Sequence, residues 1–68
     1  MTPSIRVNGK SEALTAVTVA DLLQARGIVK ARGVAVAVNG TVVPSVHWPE
    51  CRLASGDEIE IVRPFGGG

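Results

Sequence analysis

The sequence predicts an α+β fold, with a mixed sheet of about five strands packed on one helix. Three observations carry that expectation. Short runs of alternating apolar and polar residues recur along the chain. Two Asn-Gly dipeptides, Asn8-Gly9 and Asn39-Gly40, lie between such runs, where two-residue hairpin turns belong. A single segment, opening at Val19, switches to helical spacing.

The first run is Ser4 to Val7, with Ile5 and Val7 on one face and Ser4 and Arg6 on the other. Asn8-Gly9 reverses it, since a type I′ turn needs left-handed backbone at both positions and Asn and Gly take it most readily. A second strand runs from Lys10 to about Leu14, with weaker alternation and a polar outer face. The helix then begins after Thr18. Asp21 stands where the reaching-back acid of a capping box belongs, although Glu or Gln is commoner there. Val19, Leu22 and Leu23 form one apolar stripe, while Asp21, Gln24 and Arg26 point away. Gly27 supplies the left-handed stop, and Ile28 folds back on the stripe.

From Val34 to Val38, three valines alternate with Ala35 and Ala37, so a strand there has one bulky face and one smooth face. Asn39-Gly40 turns the chain into a short strand, Thr41 to Val43, which Pro44 ends because it has no backbone donor. Ser45 to Ser55 has no period and contains Pro49; it reads as a loop with a turn of helix at most, anchored by Val46, Trp48 and Leu53. After the tight turn at Ser55-Gly56-Asp57, Ile59 and Ile61 alternate with Glu58 and Glu60 in a final strand, which Pro64 ends. Placing that strand in the centre, parallel to the first, lets one helix cover the sheet and bury this much aliphatic surface. That is the β-grasp pattern, with residues 1–65 as its domain and residues 66–68 as a flexible glycine tail.

At 68 residues the chain is one small domain without room for a large cleft, and its 46% hydrophobic content supports a compact aliphatic core. Seven Lys and Arg against six Asp and Glu give a net charge of +1, and the basic residues are scattered, so no nucleic-acid partner is expected. The longest aliphatic stretch, Val34 to Val38, is too short to span a bilayer, and no signal segment opens the chain, so no membrane partner is expected either. Cys51 is the only cysteine and cannot close an intramolecular disulfide, which fits a reducing cytoplasm.

Gly66, Gly67 and Gly68 follow with no polar residue after them. A bare glycine tail at a free carboxyl end suggests that the terminal carboxylate is the reactive group, because glycine neither blocks a narrow channel nor restricts the backbone. A frayed end is the plain alternative.

The run Val36-Ala37-Val38-Asn39-Gly40, Val43-Pro44, Trp48, the stretch from Gly56 to Val62 and the closing Gly67-Gly68 together resemble the ThiS family, ubiquitin-like sulfur carriers of thiamin biosynthesis. The resemblance covers essentially the whole chain. It implies that an activating enzyme of the ThiF class adenylates the Gly68 carboxylate with ATP, and that sulfur from a source such as a cysteine desulfurase displaces AMP to leave a thiocarboxylate. A thiazole synthase of the ThiG class then takes the sulfur. ATP belongs to the activating partner, and no cofactor is expected on the carrier, which is not expected to be an enzyme. The residues agree: the chain has no Ser/His/Asp or Cys/His set, no phosphate-binding glycine loop and no metal-ligand cluster in its sequence. Two alternatives stay open, a carrier like the small subunit of molybdopterin synthase and a β-grasp interaction module with an inert tail.

The remaining expectations concern surfaces. Gly66 and Gly67 thread the tail, and Phe65, beyond the strand-ending proline, is an interface anchor. Ala35 and Ala37, with Glu58, Glu60 and Val62 of the last strand, form the partner-facing surface, small residues beside an acidic rim suited to a basic partner. A solvated strand face also accounts for the acids Asp57, Glu58 and Glu60. Trp48 is read as a core anchor whose indole N–H needs a partner, His47 as a surface residue and Cys51 as a bystander thiol.

Overall fold

The structure, a computed structural model, describes residues 2–29 and 32–63. The expectations that fall on Pro64, Phe65, Gly66, Gly67 and Gly68 lie outside the described residues. The chain forms β1 (Ser4–Val7), β2 (Lys10–Ala13), α1 (Val19–Ala25), β3 (Ala35–Val38), β4 (Thr41–Val43), a 3-10 helix (Ser45–Glu50) and β5 (Glu58–Val62). The strands make one sheet in the order β2-β1-β5-β3-β4. β1 and β5 are parallel, and the other neighbours are antiparallel. The last strand therefore sits in the middle, between the two hairpins.

Both hairpins rest on left-handed backbone. Asn8 and Asn39 each have φ 52°, with Gly9 at 83° and Gly40 at 84°. Those angles suit the twist of the flanking strands. Strand ends differ from the sequence expectation by a residue: β2 stops at Ala13 rather than Leu14, and β3 starts at Ala35 rather than Val34.

Helix α1 is too short to hold together alone and depends on its ends and its packing. At its start the capping box is complete despite the shorter acid. The Thr18 hydroxyl accepts from the Asp21 backbone N–H at 3.2 Å, and the Asp21 carboxylate accepts from the Thr18 N–H at 3.2 Å. At its end Gly27, φ 78°, donates to the Gln24 carbonyl at 3.0 Å, and Ile28 donates to the Leu23 carbonyl at 2.9 Å. This Schellman closure folds Ile28 back toward the core. Val19, Leu22 and Leu23 are buried against Ile5, Val7, Val36, Ile59, Ile61 and Trp48. Burying each such aliphatic side chain contributes about 1.5–3 kcal/mol.

The segment after β4 is more ordered than a loop with one turn. Ser45–Glu50 is a 3-10 helix carrying Pro49 inside it. With three residues per turn, Trp48 and Cys51 come to the inner side together, and Val46 is turned out. Val46 is 72% exposed, so it is not the anchor expected of it; Trp48 is buried and Leu53 is half-buried against the core. The Trp48 indole N–H donates to the Val43 carbonyl at 2.8 Å. Beyond the 3-10 helix, Val19 donates to the Cys51 carbonyl and Leu53 to the Val17 carbonyl, each at 2.9 Å, which ties the crossing to the start of α1.

Candidate functional site

The last described strand, β5, lies in the middle of the sheet, and two asparagines hold it from opposite sides. Asn39 meets its beginning. The Asn39 N–H donates to the Glu58 carbonyl at 2.7 Å, and its side-chain oxygen accepts from the Glu58 N–H at 3.0 Å. Its Nδ2 donates to Asp57 Oδ1 at 3.0 Å, while Asp57 Oδ2 accepts from the Ala54 N–H at 2.8 Å. Asp57 is thus half-buried and occupied in its turn, so the acidic surface reduces to Glu58 and Glu60. Asn8 meets the other end of β5: its oxygen accepts from the Ile61 N–H at 2.8 Å and its Nδ2 donates to the Ile61 carbonyl at 3.3 Å.

The sheet has two unlike faces. Ile59 and Ile61 of β5 point to the helix, and Glu58, Glu60 and Val62 point away, with Val62 63% exposed. Strand register carries that outer surface sideways. Val62 lies opposite Ala35 and Glu60 opposite Ala37, so four of the sequence-selected residues are brought together as two cross-strand pairs. Glu58 continues the row beside Arg6 of β1. The Arg6 guanidinium donates to the Gly9 carbonyl at 3.1 Å.

One member of this surface escaped the sequence reading. Val42 lies opposite Ala37 on β4 and is 68% exposed. The signal was present: a two-residue turn at Asn39-Gly40 forces Val38 opposite Thr41 and hence Ala37 opposite Val42. The resulting patch is apolar along Ala35, Ala37, Val42 and Val62 and acidic along Glu58 and Glu60. Side chains of this size let another protein approach the sheet closely.

The other tempting residues lie elsewhere. Exposed His47, on the 3-10 helix, has its Nδ1 3.8 Å from Glu50 Oε1. Cys51 is half-buried and packs against the core. Among the described residues no three His, Cys, Asp or Glu side chains gather to hold a metal ion. No described helix is long and apolar enough to cross a membrane.

Comparison with known proteins fits this architecture. The model of the ThiS family matches residues 5–68. The crystal structure of the thiamine biosynthesis protein ThiS from Geobacter metallireducens superposes with a TM-score of 0.78 at 29% identity, over 96% of this chain and 99% of that one. The solution structure of a thiamine biosynthesis protein from the same organism gives the same TM-score and identity, over 96% of this chain and 87% of that one. No curated protein gives a match. With a match from β1 through the glycine tail, and a five-stranded mixed sheet whose last strand is central, the chain belongs to the ThiS family and has its ubiquitin-like β-grasp fold.

Proposed function

We propose that this chain carries sulfur as a thiocarboxylate on Gly68 for thiazole formation in thiamin biosynthesis. ThiS family proteins are small sulfur carriers rather than enzymes and act with activating and sulfur-transfer enzymes. The observation that carries the finer reading is that the family match runs on to Gly68, so it includes the glycine tail that follows central strand β5.

The chemistry asks little of the carrier. A carboxylate resists attack until one oxygen becomes part of a good leaving group. Attack of a Gly68 carboxylate oxygen on the α-phosphorus of ATP expels pyrophosphate and gives an acyl-adenylate. The terminal sulfur of a persulfide then adds at the carbonyl carbon and AMP departs, giving an acyl disulfide. A thiol attacks the outer sulfur of that disulfide, releasing the thiocarboxylate and leaving as a mixed disulfide with the former persulfide carrier. A ThiF-class enzyme supplies the adenylation site, a sulfur source such as a cysteine desulfurase supplies the sulfur, and a ThiG-class synthase receives it. The carrier supplies a thin tail, through Gly66 and Gly67, and a docking surface. We assign that surface to the outer face, Ala35, Ala37, Val62, Glu58 and Glu60, joined by Val42, with Phe65 as an anchor beside the tail. Its acidic rim suits a basic partner.

Intact mass tests the reading. With ATP, the activating enzyme and a sulfur source, the protein should gain the difference between sulfur and oxygen, and omission of ATP or enzyme should abolish the gain. One residue appended after Gly68 should block loading. Gly67→Val should block it too, because a β-branched side chain is both thicker and stiffer than glycine. Loading of either variant at the wild-type rate would return the chain to an interaction module with an inert tail.

A further inference from the structure

We infer that Asn8 is a positioning residue for the tail, through a side chain that acts as the last rung of β1. Backbone groups of successive residues in a strand point to opposite neighbours. In β5, Ile59 and Ile61 turn theirs toward β1, and this is where β1 runs out. Val7, the last residue of β1, lies opposite Ile59, and the Asn8 N–H reaches the Ile59 carbonyl at 2.9 Å. The turn at Asn8-Gly9 then bends the backbone away. Ile61, a buried residue one rung further along, meets the carboxamide of Asn8 instead, which accepts from its N–H and donates to its carbonyl. A carboxamide has the donor and acceptor of a peptide group, so the side chain continues the ladder after the main chain has left it.

The consequence falls on the reacting end. Ile61 and Val62 end β5, and the sequence after them carries Gly68, so what fixes this strand end fixes where that sequence starts. Gripping Ile61 on the β1 side, while Val62 pairs with Ala35 on the β3 side, holds the end of β5 from both neighbouring strands. Asn39 provides an internal control. It has the same φ and the same hairpin role, yet its carboxamide engages Glu58, at the end of β5 far from the tail. Turn propensity alone accounts for an Asn at either place, but it predicts no difference between them.

The inference rests on the carrier reading, and glycine substitutions separate the two. Glycine accepts left-handed backbone, so Asn8→Gly and Asn39→Gly keep both turns and delete one carboxamide each. Hydrogen exchange in the isolated protein should show the Ile61 amide about tenfold faster in Asn8→Gly, with the Glu58 amide unchanged, and the reverse in Asn39→Gly. In adenylation by the activating enzyme, Asn8→Gly should raise KM about three- to tenfold with kcat nearly unchanged, since a strand end held from the β3 side only must be ordered on binding. Asn39→Gly should leave KM at the wild-type value. An unaltered Ile61 amide, or equal KM values for the two variants, would overturn the positioning role while leaving the carrier intact. Failure of the wild type to load at all would overturn the carrier reading and the tail-positioning role with it, even with the Ile61 clamp visible in exchange.

Discussion

The two faces of β5 are built from alternate residues of one short strand, yet they answer to different demands. Ile59 and Ile61 are sealed against α1 and the flanking strands, with Ile59 wholly buried. Glu58, Glu60 and Val62, interleaved with them, touch water and form a row with Ala35, Ala37 and Val42. The inner face sets whether the domain exists. The outer face is the one we assign to the partner. A two-residue period separates the jobs so completely that a change on one side should be nearly silent on the other.

The comparison breaks most sharply at Ile59. Ile59→Ala removes buried methyl and methylene groups at the middle of the sheet and should cost about 2–5 kcal/mol. For a domain of this size that is a large share of its stability, and a urea titration should show the midpoint fall steeply. A loss under about 1 kcal/mol would mean that the inner face is not the close-packed core described. Trp48→Phe is the next step down. The ring is largely kept, but the Val43 carbonyl loses its indole donor, for an expected loss of about 1–2 kcal/mol by the same titration. Thr18→Ala removes one half of the capping box and should cost about 0.5–2 kcal/mol, without altering the surface offered to partners.

How much of this could be read from the chain depends on the distance over which each feature is encoded. Asn8-Gly9 and Asn39-Gly40 announced both hairpins because φ above zero is a local demand, and Thr18 with Asp21 announced the helix start for the same reason. The position of β5 between β1 and β3 is not local, but one-helix burial left few other arrangements. The 3-10 helix was missed because Ser45–Glu50 makes only two turns, too few for a period of three to show in the sequence, and that same period explains why Val46 faces outward. The Asn8 carboxamide was invisible for another reason. Its partner Ile61 stands 53 residues away, and the Asn-Gly turn already gave Asn8 a sufficient local explanation. As for the site, the register sets Ala35 opposite Val62 and Ala37 opposite Glu60, whereas Phe65 and the three glycines fall outside the described residues.

The smallest expected change in stability comes from the outer face, at Ala37→Arg. Ala37 lies between Val42 and Glu60, and an arginine there can extend over the sheet with its guanidinium near an acidic neighbour, so nothing buried is displaced. The unfolding midpoint should stay within the equivalent of about 0.5 kcal/mol of the wild type. Activation should behave quite differently. A long cation replaces a methyl group in the middle of the surface assigned to the partner, filling the space a close approach needs and opposing a basic counterpart. Adenylation of the folded variant should therefore be lost, measured as ATP-dependent pyrophosphate release. Ala37→Ser, which preserves the small size, should retain it. Turnover of Ala37→Arg at the wild-type rate would free this face from the interface and leave the tail, with Phe65, as the region to search for partner contact.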